Sequence, residues 1–296
     1  MTAKLTTKQI MTDAWMSGTV VPAFNIPYLP MMEPVMRALR ETRCFGLITV
    51  ARLEWEKFES KSMKAVYDEY QRVKDERFTR LHLDHVPVID EDNKLVDYYA
   101  ILSEAVNLGY ESIMVDGSRL SLVENIAATK KAADMAHKAG IPVEAELGAV
   151  MGHEPGPIPP YEELFASGKG FTSPDEAKRF VDETGTDWLS VAVGNIHGAI
   201  SAATREQKKV EARLNIEHLD RINKAVSVPL VLHGGTGIRK EYILDGIRHG
   251  IAKINIATAI RQPYEALYKE SISKAQEAVF KAIIGIITDE LEINGR

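Results

Sequence analysis

TVVPAFNIPY, residues 19–28, opens as a short apolar run and leaves it through Asn25 and a Pro-containing turn. The first strand of an open, doubly wound sheet usually runs into a Gly-rich phosphate turn. AFNIPY has none, which turns the reading toward a closed sheet. Seven more runs of the same kind follow: GLITVA (46–51), RLHLD (80–84), SIMVD (112–116), PVEAEL (142–147), WLSVAVG (188–194), VPLVLH (228–233) and IAKINI (251–256). Each is short, and most are rich in Val and Ile, as parallel strands covered on both faces are. Amphipathic stretches lie between them, among them residues 121–140, 173–185 and 215–226. Ser173, with Pro174 next and Glu176 three residues on, has the form of a capping box. Gly140 and Gly185 stand where helices should stop. Eight β-α units in about 260 residues match an α/β fold of the (β/α)8, or TIM-barrel, type.

No linker, low-complexity segment or composition break divides residues 1–296, so one barrel domain with a C-terminal helical segment is expected. The apolar fraction of 45% and charged fraction of 26% are those of an ordinary globular chain. Lys and Arg number 36 against 42 Asp and Glu, a net charge of −6 that argues against partners such as nucleic acid or an anionic membrane. The opening MTAKLTTKQIMTDAW lacks the apolar core of a secretory signal, and no apolar run reaches the roughly 18–20 residues of a membrane span. A cytoplasmic location is expected. Cys44 is the single cysteine, which excludes an internal disulfide framework and a cysteine-rich zinc site.

A barrel of this type builds its active site where its strands end. The eight runs end in Asn25, Arg52, Asp84 with His85, Asp116, Glu146, His197, His233 and Asn255. Any one of these could be a cap or turn residue. Three histidines among eight converging strand ends are the ligand set of an open catalytic zinc site, His85, His197 and His233. His137, His218 and His249 fall on helical stretches and read as solvated. His82, one strand period from Asp84, reads as support or packing, and His153 lies on a loop. Gly198 follows His197, while Gly234, Gly235, Thr236 and Gly237 follow His233. Such turns expose N–H groups that can cradle a phosphate, and Thr258 adds a hydroxyl beyond Asn255.

In HLDH, VEAELG, VAVGNIHG, VPLVLHGGTGI and GIAKINIATAIR, from about residue 20 to residue 262, the chain resembles the class II, metal-dependent ketose-bisphosphate aldolases. That family includes fructose- and tagatose-bisphosphate enzymes. The resemblance implies a TIM-barrel lyase of carbohydrate metabolism, as in glycolysis. Such an enzyme reversibly cleaves a ketose phosphate or bisphosphate into dihydroxyacetone phosphate and an aldehyde through a metal-stabilised enediolate. It implies that His85, His197 and His233 hold a divalent ion, usually Zn2+, with Asp116 and Glu146 able to support a second metal site. A monovalent cation site is also among its implications. Asp84 would be the acid/base on the hydroxyl of the cleaved bond, and Glu154, on a mobile loop, would move the proton on the dihydroxyacetone phosphate carbon. Gly198, Gly234, Thr236, Asn255 and Thr258 would hold the dihydroxyacetone phosphate half, and Asn25 matches an asparagine after the first strand. The implied partner is a small sugar phosphate, and the implied assembly a homodimer or homotetramer.

Of four departures from the family, all but the last lie on the catalytic face, and the first two are expected to touch the aldehyde half. VIDEDNKLVDYY stands as an insertion after HLDHVP. Arg52 sits where many members have a small serine, either to meet an anionic aldehyde or to pair with Glu54 or Glu56. The loop AVMGHEPGPIPPYEELFASGKG puts His153 beside Glu154 and is long and Pro-rich. DELEINGR ends before the family's usual tail. Two other readings are a barrel zinc hydrolase, which commonly has a His-x-His on its first strand, and a non-catalytic relative. The first strand here offers only Asn25, and the three histidines, Asp84 and Glu154 are all present.

Overall fold

A computed structural model of the protein describes residues 5–148, 150, 160–196, 212–235 and 237–296. Eight strands close into one parallel barrel in chain order: β1 Val21–Asn25, β2 Gly46–Ala51, β3 Thr79–Pro87, β4 Ser112–Asp116, β5 Val143–Leu147, β6 Trp188–Val191, β7 Leu230–Leu232 and β8 Ile251–Ile256. β1 pairs with both β2 and β8, which closes the ring and leaves no edge. β2, β4 and β8 have the bounds expected from the sequence. β6 stops three residues early because side chains take over its backbone: Thr172 Oγ1 accepts from Ala192 N, and Asn195 Oδ1 from Val193 N.

The strands are buried on both faces. Their outward side chains pack against the surrounding helices in one large core. At the N-terminal end, the helix Thr7–Ser17 lays Met11 and Ala14 against Val21, Ala23, Leu47, Trp188, Val231 and Ala252. Thr6 and Gln9 cap that helix reciprocally, satisfying donors that would otherwise be orphaned. Ser173 Oγ accepts from Glu176 N with Pro174 in the first turn, and Gly185 ends the same helix at φ +70°. The helix Ile272–Gly285 and a following turn of π-helix, Ile286–Glu290, form the C-terminal segment. Among the described residues no helix is long and apolar enough to cross a membrane.

Two irregularities shape the C-terminal rim. β3 carries a bulge: Leu83 pairs with Ile113 but Val86 with Val115, so three steps on β3 match two on β4. The insertion then folds back on itself. Val96 N bonds to Val88 O, Ile89 bridges Leu95 in antiparallel fashion, and Asp90 Oδ1 accepts from Asp92 N and Lys94 N at the tip. The result is a short finger standing beside the barrel mouth.

Candidate active site

Successive residues of a strand face opposite ways, so Asp84 and His85 should be separated by the sheet. The bulge overrides that alternation. His85 takes a left-handed backbone, φ +32°, a conformation that costs a non-Gly residue of order 1–3 kcal/mol. Asp84 thus faces the barrel axis while His85 still swings over the rim. There His85 Nε2 meets His233 Nδ1, from the end of β7, at 2.6 Å. The other nitrogen of His85 lies 3.3 Å from Asp116 Oδ2, and Glu146 Oε2 lies 3.5 Å from His233 Nδ1.

Asp84 is 1% exposed and held by amides. Asn25 Nδ2 donates to Oδ2 at 2.9 Å, and Asn255 Nδ2 donates to both oxygens at 2.9 Å. Asn255 Oδ1 has no hydrogen-bond partner although it is buried, which leaves an acceptor at the mouth. Burial alone would raise the Asp84 carboxyl, but Lys253, His85 and His233 hold it well below the usual carboxylate range. Burial would likewise lower the His85 imidazole, yet Asp116, Asp84 and Glu146 push it up to about 10. Burial and the His85 charge lower His233. Burial, then Asp116, pushes Glu146 up to about 8. Buried carboxylates in excess around facing imidazole nitrogens make a site that favours added positive charge.

Donor atoms of Asp84, His85 and His233 lie within 4.8 Å of one another, as do those of His85, Asp116 and Glu146. Imidazole with carboxylate is a donor set that suits a divalent ion such as zinc, so these residues fit the metal expected from the sequence. Asp116 is turned to His85 Nδ1 and is fixed by Ser118 N and Oγ, as a carboxylate orienting a ligand would be. Gly234 (φ +67°) and Gly235 form the turn after His233; a Cβ on Gly235 would come within 2.9 Å of Ile254 Cγ2. That turn lies beside the end of β8, where Thr258 opens a helix whose cap residue, Ala257, has no side-chain hydrogen bond to give.

Arg52 opens the helix Arg52–Lys57 and is engaged by acids: Nη2 lies 2.8 Å from Glu56 Oε1, and Nη1 lies 3.7 Å from Asp90 Oδ2 in the finger. The ion pair weighed against an anion-binding role is therefore formed, with Glu56 rather than Glu54. Glu54 instead accepts from Ala51 N at 2.8 Å and faces Asn25. The histidines read as solvated are not free. His137 Nε2 contacts Asp187 Oδ2 at 2.8 Å, His218 Nε2 contacts Thr172 O at 2.7 Å, and His249 Nδ1 contacts Asp245 O at 2.7 Å. The three partners differ: a buried carboxylate for His137, a loop carbonyl for His218 and a carbonyl of the preceding helix for His249. Glu154, His153, His197, Gly198 and Thr236 lie outside the described residues.

Sequence reasoning passed over Glu144 and Lys253. Both are fully buried one layer beneath the rim, with His82, whose Nδ1 lies 2.9 Å from Ser112 Oγ. The signal was present: each of the three precedes a named site residue by two, the strand period.

A closed parallel barrel whose strand ends bring imidazoles and carboxylates together is the framework of a metal-assisted barrel enzyme. Residues 5–292 match the model of the class II fructose-bisphosphate aldolases, and the chain belongs to that family. The uncharacterised protein YdjI of Escherichia coli K12 is 46% identical over 171 residues, which is 58% of this chain and 56% of YdjI. The chain thus spans a little over half of that relative in this alignment. The crystal structure of the YdjI aldolase superposes with TM-score 0.73 over 98% of this chain and 99% of YdjI, at 28% identity across that longer stretch. Fructose-bisphosphate aldolase from Campylobacter jejuni shares the fold, with TM-score 0.74 over 99% of this chain and 96% of its own, at 18% identity.

Proposed function

We propose that the protein is an aldehyde-lyase that reversibly cleaves a ketose phosphate or bisphosphate into dihydroxyacetone phosphate and an aldehyde. The observation that carries this reading is the Asp84 carboxylate, clamped by Asn25 and Asn255 beside the facing nitrogens of His85 and His233. His85 and His233, with His197 as the third ligand, would hold a divalent ion, Zn2+ by donor set. When bound, that ion supplies a Lewis acid for the negative charge that develops on the ketone half. Asp84, ionised and oriented, takes the proton from the hydroxyl next to the breaking carbon–carbon bond. The hydroxyl carbon becomes the aldehyde, and the bonding pair passes to the dihydroxyacetone phosphate carbon. Glu154 is assigned the return of a proton to that carbon.

The Gly234–Gly235 turn and the helix opened by Thr258 would take the phosphate of the dihydroxyacetone half, with Asn255 Oδ1 as a hydroxyl acceptor. The finger and the Arg52–Glu56–Asp90 group would bound the aldehyde half, so the aldehyde need not be glyceraldehyde 3-phosphate. We further infer a cytoplasmic homodimer or homotetramer working in carbohydrate metabolism, consistent with the family. The test is a coupled assay for dihydroxyacetone phosphate released from a panel of ketose 1-phosphates and bisphosphates, run with and without a chelator. Release from at least one member, abolished by chelation and restored by Zn2+, is expected. Release that survives full metal removal, or none from any member, would refute the mechanism.

A further inference from the structure

Beneath the rim the barrel interior is charged where a packed apolar layer is usual. His82, Glu144 and Lys253 stand two residues before Asp84, Glu146 and Asn255, and all three are 0% exposed. An unpaired charge at such depth would cost several kcal/mol, so the partners of each group are informative. The Glu144 carboxylate faces three donors. Lys253 Nζ donates to Oε2 at 2.7 Å, Trp188 Nε1 donates to the same oxygen at 2.6 Å, and His233 Nε2 lies 2.8 Å from Oε1. Lys253 Nζ also lies 3.7 Å from Asp84 Oδ1, so one ammonium serves both carboxylates.

The geometry decides which nitrogen of His233 carries its hydrogen. A carboxylate beside an ammonium has no proton to give, so the contact at Oε1 requires N–H on His233 Nε2. The lone pair is then left on Nδ1, the atom that faces His85 Nε2. Asn195 Nδ2 donates to the His233 carbonyl at 2.9 Å and steadies the backbone, while Glu144 alone among the described residues grips the ring from behind. We propose that Glu144 is the positioning residue of His233: held by Lys253 and Trp188, its carboxylate keeps the ring in the Nε2–H form and presents Nδ1 to the metal. This rests on the reading of His233 as a ligand.

The near-isosteric change Glu144→Gln tests it. Lys253 and Trp188 both donate to the Oε2 position, so the new amide oxygen is drawn there and its NH2 group turns toward His233. A donor facing Nε2 forces the hydrogen onto Nδ1 and blocks the ligand atom. In full-length protein labelled with 15N-histidine, the metal-free parent should show His233 protonated at Nε2, and Glu144→Gln should show it protonated at Nδ1. Zn2+ affinity, measured by competition with a chromophoric chelator, should fall by about 10- to 100-fold, as for other residues that orient metal ligands. Should the single variant fail to fold, Glu144→Gln/Lys253→Met removes one buried charge of each sign, keeps Trp188 as a donor, and carries the same expectation. His233→Ala is the control. If it loses Zn2+ while Glu144→Gln binds within twofold of the parent in the original tautomer, the positioning role is wrong and the ligand assignment stands. If His233→Ala binds Zn2+ as the parent does, the ligand assignment falls and this inference with it.

Discussion

Lys253→Met removes the ammonium that is buried inside the barrel beside Glu144 and Asp84, without opening a large void. Lys253 is fully buried, 2.7 Å from Glu144 and 3.7 Å from Asp84, so its loss leaves two buried carboxylates without their common counter-charge. Removing one partner of a buried pair costs about 3–5 kcal/mol, chiefly because the other charge is stranded. Unfolding entropy near 60 °C is about 2.1 cal/mol/K per residue, so in 296 residues each kcal/mol moves Tm by about 1.6 °C. The expected drop is about 5–8 °C, read by scanning calorimetry of metal-free protein at pH 7 and fixed concentration. Lys130→Met is the matched control. Its ion pair with Asp134 is similar in length, 2.9 Å, but both side chains are more than half exposed, and the change should move Tm by less than about 1 °C. Lys253→Met/Glu144→Gln should recover part of the loss. A Tm for Lys253→Met within 1 °C of the parent, or above it, would refute the view that this charge is what makes the acidic interior tolerable.

Asn255→Ala removes the two contacts that Asn255 makes with Asp84 and leaves that of Asn25, a loss of roughly 1.5–3 kcal/mol for hydrogen bonds to a charged group. It should lower kcat/KM for cleavage by about 10- to 100-fold with metal content unchanged, and kinetics equal to the parent would discount the clamp. Burial pushes the Glu54 carboxyl up to about 8, against the Ala51 N–H that favours its charge. The folded state therefore holds a proton that the unfolded chain releases near 4.5, so stability should fall as pH rises from about 4.5 to 8. Glu54→Gln, which keeps an acceptor for Ala51 N, should flatten that part of the Tm–pH curve; an unchanged slope would assign it to other groups.

The polar strand ends were legible because a barrel gathers them on one rim whatever lies between. Asn25, Asp84, His85, Asp116, Glu146, His233 and Asn255 are brought together there. Arg52 was harder to read, since its partner Asp90 comes from a finger whose fold depends on Asp90 capping its own tip. Glu144 and Lys253 were missed for a different reason. Inside a strand, an isolated Glu or Lys has no local signature, and only the pairing of β5 with β6 and of β7 with β8 shows that Glu144, Trp188, His233 and Lys253 meet.

Taken alone, the sequence determined the number of strands, their parallel order and, His197 apart, which polar residues follow them at the rim. Strands covered on both faces must be short and largely apolar, and a charged residue inside one, such as Glu144 or Lys253, needs a partner that only the fold supplies. The tertiary structure alone decided which side those residues face and whose charge answers whose. Asp84 and His85 are neighbours that alternation would place on opposite faces, and the bulge at φ +32° brings both to one site. That backbone conformation is unfavourable for histidine in isolation, so it is held by the packed barrel around it and by the groups the site assembles.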